Sequence, residues 1–276
     1  MTLSASRLTY LGPEGTFTHR ASFAVEAARR VPLRSIRGVF EAVARGDSDA
    51  GFVPGENVVE GAVDETLDLL LAGPAVVSGE VVLAIQHCLV GRSERKITRV
   101  YSHPQALAQC GTWLHAHLPE AERVECVSTG EAAALAVGDD QSAAIGPGAR
   151  AGLEVLVRGL GREGNRTRFF LISRALAPRT GQDRTLVAFG APHRPGALQA
   201  CLAPFATLGI NLTRIESRPS RGEAWTYSFV VEIEGHPGDA PIAQALADLG
   251  ALAVNVRVLG AWAAAGDQGS EGADNR

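Results

Sequence analysis

Short apolar runs alternate with amphipathic stretches along the first two-thirds of the chain, the pattern of a parallel α/β architecture whose buried strands are covered by helices. Residues 8–11 read as a first strand, followed by the turn Gly12-Pro13-Glu14-Gly15. Thr16 stands at an N-cap position, and Phe17, Ala21, Ala24 and Ala28 recur behind it at helical spacing. The pattern then predicts a strand over 33–36, a helix over 39–44, a strand over 50–53 and a helix over 63–71. Residues 76–89 read as an extended crossing, after which the alternation starts again. Strands are predicted at 100–101, 124–127, 143–146, 155–157 and 169–173, with helices over 102–117 and 131–137. These spans make two lobes joined by two crossings, one about 1–80 plus 168–181 and the other about 81–167. That is the hinged, cleft-forming plan of type II periplasmic binding proteins.

A composition break at residues 177–183 separates this unit (1–181) from a β-α-β-β-α-β remainder. Its strands are predicted at 185–189, 211–218, 227–233 and 254–259, and its helices at 196–208 and 241–249. Leu198, Cys201, Leu202, Phe205 and Leu208 share one face of the first helix. Residues 182–262 are therefore expected to form a ferredoxin-like α+β domain. Residues 263–276, rich in Gly, Ala and Asp, are expected to be a disordered tail.

Composition narrows the chemistry. A net charge of −4 with no basic block gives nucleic acid no electrostatic foothold. No apolar run approaches the length of a membrane span, and the N-terminus lacks a signal-peptide core. Cys88, Cys110, Cys126 and Cys201 are widely spaced, with no C-x-x-C pair, which points to a reducing cytoplasm rather than a zinc site or disulfide framework. Lys96, the single lysine, lies in a charged loop, so a Schiff-base enzyme is not expected. Neither G-x-x-x-x-G-K-[ST] nor a strand-linked G-x-G-x-x-G occurs.

The polar clusters Gly12 to Thr16, Glu56-Asn57, Ser102-His103-Pro104-Gln105 and Ser128-Thr129 all follow the C-terminal ends of predicted strands, the edge where open α/β sheets bind ligands. Several also open helices, whose free N–H groups favour anions. Asn165-Arg166-Thr167-Arg168-Phe169 adds a hydroxyl beside guanidinium groups, a combination suited to holding a carboxylate while a neighbouring oxygen is protonated. Each cluster also has a plain reading: Thr16, Ser128 and Thr129 as helix caps, His103-Pro104 as an ordinary helix start, Glu56 and Glu60 as solvated loop carboxylates.

Taken together, Gly12-Pro13-Glu14-Gly15-Thr16-Phe17, Glu56-Asn57 with Glu60-Gly61, Ser102-His103-Pro104-Gln105 with Gln109-Cys110, Ser128-Thr129 and Asn165-x-Thr167-Arg168-Phe169 resemble the prephenate dehydratase family in order and spacing. Gly196-Ala197-Leu198 and Asn211 to Pro219 resemble the ACT regulatory module of the same enzymes. The resemblance implies decarboxylating dehydration of prephenate to phenylpyruvate, water and carbon dioxide, without metal or cofactor. It implies Thr167 at the leaving hydroxyl, with Asn57, Ser102, Gln109 and Glu56 in the catalytic set, Glu56 as a brace for Asn57. Arg168 would bind a carboxylate, with Phe169, Thr16, Ser128 and Thr129 completing the substrate site. In the small domain it implies phenylalanine bound by Gly196, Ala197, Leu198, Asn211 and Leu212, with Glu216, Ser217 and Arg218 linking that site to the catalytic unit. A cytoplasmic homodimer or homotetramer is expected. The family usually reads Pro-Ile-Glu-Asn-Ser or Thr, whereas this chain has Gly55 and Val58 at the variant positions. Arogenate dehydration and a non-catalytic amino-acid sensor are the competing readings.

Overall fold

The computed structural model describes residues 4–92, 96–149, 152–219 and 227–264. The first lobe contains β1 (Ser4–Leu11), α1 (Phe17–Ser22), β2 (Glu26–Leu33), α2 (Ile36–Arg45), β3 (Ala50–Asn57), β4 (Gly61–Ala62), α3 (Asp64–Ala72) and β5 (Val76–Ala84). The second contains β6 (Cys88–Gly91), β7 (Arg99–Ser102), α4 (Pro104–Gln109), α5 (Gly111–His117), β8 (Glu122–Glu125), α6 (Thr129–Val137), β9 (Ser142–Gly146) and β10 (Glu154–Arg158). Strand β11 (Arg166–Ser173) then returns to the first lobe between β5 and β3. The small domain is β12 (Asp183–Gly190), α7 (Ala197–Thr207), β13 (Leu212–Pro219), β14 (Tyr227–Glu234), α8 (Ala240–Leu252) and β15 (Val254–Ala263).

The first-lobe sheet runs β5-β11-β3-β1-β2 and the second β10-β6-β9-β7-β8, the twice-crossed plan expected of a hinged α/β pair. The sheets part where the Ile85 N–H bonds to the Asn165 carbonyl at 2.8 Å, a few residues beyond the lobe limits read from the sequence. The small-domain sheet β13-β14-β12-β15 continues into the first-lobe sheet through a single β15–β5 pairing, Gly260 to Val77. That approach requires a glycine, because a Cβ on Gly260 would lie 2.6 Å from the Val77 Cβ. One core spans the junction: Phe170, Val53, Leu67 and Leu70 from the first lobe pack with Leu186, Val230, Leu259 and Trp262 from the small domain. The Phe170 and Trp262 rings are 5.8 Å apart and both are fully buried.

Three local expectations are corrected. Helix α1 stops at Ser22 and Ala28 lies in β2, because residues 26–33 pair along β1 from Glu26 to Leu33. Sheet pairing outweighs a weak alanine periodicity. The strand expected at 33–36 ends at Leu33, since the Ser35 hydroxyl accepts from the Gly38 N–H at 3.0 Å and starts α2. The helix predicted over 102–117 is two, broken at buried Cys110. At the C-terminus Ala263 still belongs to β15, opposite Asp183. Residues 265–276, most of the tail expected to be disordered, lie outside the described residues.

Candidate active site

Strands β3 and β11 run antiparallel with Thr167 opposite Asn57 and Arg168 opposite Glu56. Side chains alternate across a sheet, so these two adjacent pairs face opposite ways. Asn57 and Thr167 face the cleft between the lobes, while Glu56 and Arg168 face the small domain.

On the cleft side every amide orientation is set by its neighbours. The Asn57 Oδ1 accepts from the backbone N–H groups of Val59 (2.9 Å) and Glu60 (3.2 Å), which leaves Nδ2 as the donor. That Nδ2 donates to Thr167 Oγ1 and to Asn165 Oδ1, both at 2.8 Å. Asn165 Nδ2 therefore donates to Gln109 Oε1 at 3.0 Å, and Gln109 Nε2 to the Glu60 carboxylate at 2.6 Å. Gln105 Nε2 donates to the other Glu60 oxygen. His87 Nε2 lies 2.8 Å from the same Gln109 Oε1, so it carries the proton there. Burial pushes the His87 pKa below its ordinary value, against the raising influence of Gln109 and Glu60. The consequence reaches Thr167. Its oxygen already accepts from Asn57 and its hydroxyl donates to no described residue, so the hydroxyl hydrogen is available to a molecule in the cleft.

All of these side chains but that of Asn165 line a cavity of about 560 Å³, with Phe17, Ile85 and Phe169 as apolar wall and the starts of α1 and α6 opening onto it. Asn57, Gln109, Thr167, Phe169, Thr16, Ser128 and Thr129 all border it. The hydroxyls of Thr16 and Ser128 serve as caps, accepting from His19 N (3.2 Å) and Glu131 N (3.1 Å). Their plain reading as caps is what the bonds show, and the helices they cap begin at the cavity.

Ser102, Glu56 and Arg168 do not join this group. Ser102 is fully buried and donates to the Ile145 carbonyl at 2.9 Å, tying β7 to β9. The Arg168 guanidinium is held by Glu232 of the small domain (2.5 Å), Glu80 (3.5 Å) and Glu56 (3.6 Å). Its expected role as carboxylate clamp is therefore corrected: strand alternation turns it away from the cavity. Glu56 also pairs with Arg214 (3.5 Å), so it braces the domain junction rather than Asn57. Val58, where a hydroxyl is usual, is exposed outside the cavity. A Cβ on Gly55 would meet the Phe170 ring at 2.4 Å, which accounts for the glycine.

Sequence reasoning passed over His87, Gln105, Glu60, Asn165 and Arg34 as site residues. Glu60 and Gln105 stood inside recognised motifs, and Asn165 began the Thr-Arg-Phe stretch. His87 and Arg34 carried no motif signal.

Comparison with known proteins gives the family of the chain. The prephenate dehydratase family model matches residues 8–176, and the ACT domain model residues 185–251. The chain is a member of the prephenate dehydratase family. Its relatives include the bifunctional chorismate mutase/prephenate dehydratase of Pseudomonas aeruginosa, 42% identical over 265 residues, 93% of this chain and 73% of that protein. The prephenate dehydratase of Mycobacterium tuberculosis is 40% identical over 277 residues, covering 93% and 86%. Among solved structures, the prephenate dehydratase of Arthrobacter aurescens in complex with L-Phe superposes with a TM-score of 0.83 at 38% identity, covering 93% of this chain and 90% of that one.

In the ACT domain the expected effector residues fall into separate places. Gly196, with φ of 76°, precedes α7. Ala197 and Leu198 border a cavity of about 450 Å³ shared with Tyr227 and Phe229. Asn211 borders a second, of about 720 Å³, near Arg179 and Gly235, and Leu212 packs on the domain core. Glu216 pairs with Arg214 (3.3 Å) and Ser217 lies in β13 opposite Phe229. Arg218 crosses to the catalytic unit, bonding Asp64 (2.5 Å) and Asp68 (3.0 Å) on α3.

Proposed function

We propose that this chain converts prephenate to phenylpyruvate, with Thr167 donating a hydrogen bond to the departing hydroxyl. The observation that carries this is the Asn57–Thr167 contact, which occupies the threonine oxygen and leaves its hydrogen for a ligand in a cavity fed by helix N-termini. Prephenate is a dianion with a ring hydroxyl. As its ring carboxylate leaves as carbon dioxide, the freed electron pair aromatises the ring and expels the hydroxyl, which departs as water after taking one proton overall. The protein needs a donor at the leaving oxygen and apolar surroundings for the carboxylate that loses its charge. Thr167 meets the first need, Phe17, Ile85 and Phe169 the second. Gln109 and Asn165 fix the donor set through Asn57, and the backbone N–H groups before α1 and α6 favour the anion.

The ACT domain binds phenylalanine in this reading and inhibits the reaction, as a homodimer or homotetramer in which the Ala197–Leu198 cavity of one copy is completed by the Asn211 side of another. The phenylalanine complex of the A. aurescens relative supports the binding of phenylalanine. In the same reading the enzyme works in the cytoplasm, which the free, buried thiols of Cys88, Cys110, Cys126 and Cys201 support; among the described residues no helix is long and apolar enough to cross a membrane. The test is to offer purified protein prephenate and follow phenylpyruvate, with and without phenylalanine. Turnover that phenylalanine suppresses is expected; no phenylpyruvate from prephenate would overturn the assignment.

A further inference from the structure

Turning Arg168 to the small domain leaves a question that the cleft itself answers. A dianion entering the cavity needs a cation, and among the described residues the guanidinium that borders the cavity belongs to Arg34. It follows β2 at the ligand-binding edge of the sheet, one residue before the Ser35 cap of α2. Its side chain is exposed and makes no hydrogen bond or ion pair among the described residues, unlike Arg168, Arg214 and Arg218, whose charges are spent on carboxylates. Nor is the acidic group of the cavity available to it, since both Glu60 oxygens accept from Gln105 and Gln109.

The chemistry decides which carboxylate such a cation can hold. A positive charge against the departing carboxylate would stabilise the ground state of a group that must lose its charge, and would slow the reaction. A charge on the carboxylate that stays in the product binds ground state and transition state alike. We propose that Arg34 binds the retained carboxylate of the substrate's three-carbon side chain, and that it selects a side chain bearing a ketone over one bearing an ammonium. The second clause follows from charge: in arogenate an ammonium stands beside that carboxylate and is repelled by the guanidinium, whereas the ketone of prephenate can accept from it. This inference rests on the proposed dehydratase reading and adds the group that gives it substrate preference.

The test compares wild type, Arg34→Gln and Arg34→Lys in steady-state kinetics with prephenate and with arogenate, with thermal melts as a folding control. A charge-assisted hydrogen bond of ordinary strength predicts that Arg34→Gln raises KM for prephenate about 10- to 100-fold while kcat stays close to wild type. Arg34→Lys restores much of the loss, and the preference for prephenate over arogenate shrinks in Arg34→Gln. An unchanged KM in a folded Arg34→Gln variant overturns the inference while the dehydratase reading stands. A loss confined to kcat does the same. Absence of prephenate turnover by wild type removes the reading and the inference together.

Discussion

Two faces of one strand pair, a single residue apart, behave oppositely. Toward the cleft, Asn57 meets Thr167 and Asn165 through neutral groups, and the Thr167 hydroxyl hydrogen has no partner among the described residues. Toward the small domain, Glu56 and Arg168 are drawn into a closed set of charges: Glu232 is wholly buried and shared between Arg168 and Arg184, each at 2.5 Å, with Thr213 donating at 2.8 Å. Burial would raise the Glu232 pKa, but the two guanidinium groups and Thr213 outweigh it and hold the carboxyl below its ordinary value. The cleft face keeps a donor in reserve for a ligand, and the other face spends every charge on cohesion. Function therefore goes with the residue that the local network leaves unfinished.

The largest effect should come from removing that unfinished group. Thr167→Val keeps the shape and deletes the hydroxyl, and is expected to lower kcat by about 10²–10⁴-fold, with Thr167→Ser retaining most of the activity. Arg168→Gln, one residue away, should lower stability and leave KM for prephenate near wild type. If Arg168→Gln instead raised KM sharply and left the melting temperature alone, the assignment of the two faces would have to be exchanged.

The next effect belongs to the buried face. Glu232→Gln leaves Arg184 and part of Arg168 uncompensated where their side chains are only 26% and 20% exposed, and breaking a buried pair costs about 3–5 kcal/mol. The lower end is expected, because Glu56 and Glu80 still attend Arg168. Urea unfolding of the intact chain measures it. A loss under about 1 kcal/mol, the range of exposed ion pairs, would mean that the junction is wetter than the full burial of Glu232 implies.

These two faces mark what the sequence could and could not reveal. Strand and helix order came through because apolar periodicity is a local property, and Thr167, Asn57 and Gln109 came through as parts of motifs. The role of Arg168 did not, although the period of two in Thr167-Arg168-Phe169 already puts the arginine opposite its neighbours. A motif read as one block hides that alternation. Ser102 was misplaced for a similar reason: it ends a strand, as site residues do, yet its partner is the Ile145 carbonyl, contributed by a strand 43 positions away. His87 and Arg34 stood in stretches without signal, and only the folding of β2 and of the crossing strands brings them to the cleft.

The smallest effect separates the faces by acidity. His87 is buried neutral with its pKa lowered, so on acidification the unfolded chain takes up a proton, near pH 6.5, before the folded chain does. Stability supplied by neutral His87 is complete above that value and declines as pH falls below it, by at most about 1.4 kcal/mol per pH unit for one proton. Glu232, lowered from a carboxylate value, holds its contribution until the pH reaches the carboxylate range. The cleft face should thus weaken at mild acidity while the small-domain face still holds. Melting temperatures measured from neutral pH to about pH 5 should fall for wild type and fall less steeply for His87→Gln, whose amide can still donate to Gln109. Parallel curves for the two proteins would show that His87 is not the group titrating, and would remove the buried, neutral imidazole from the account of the cleft.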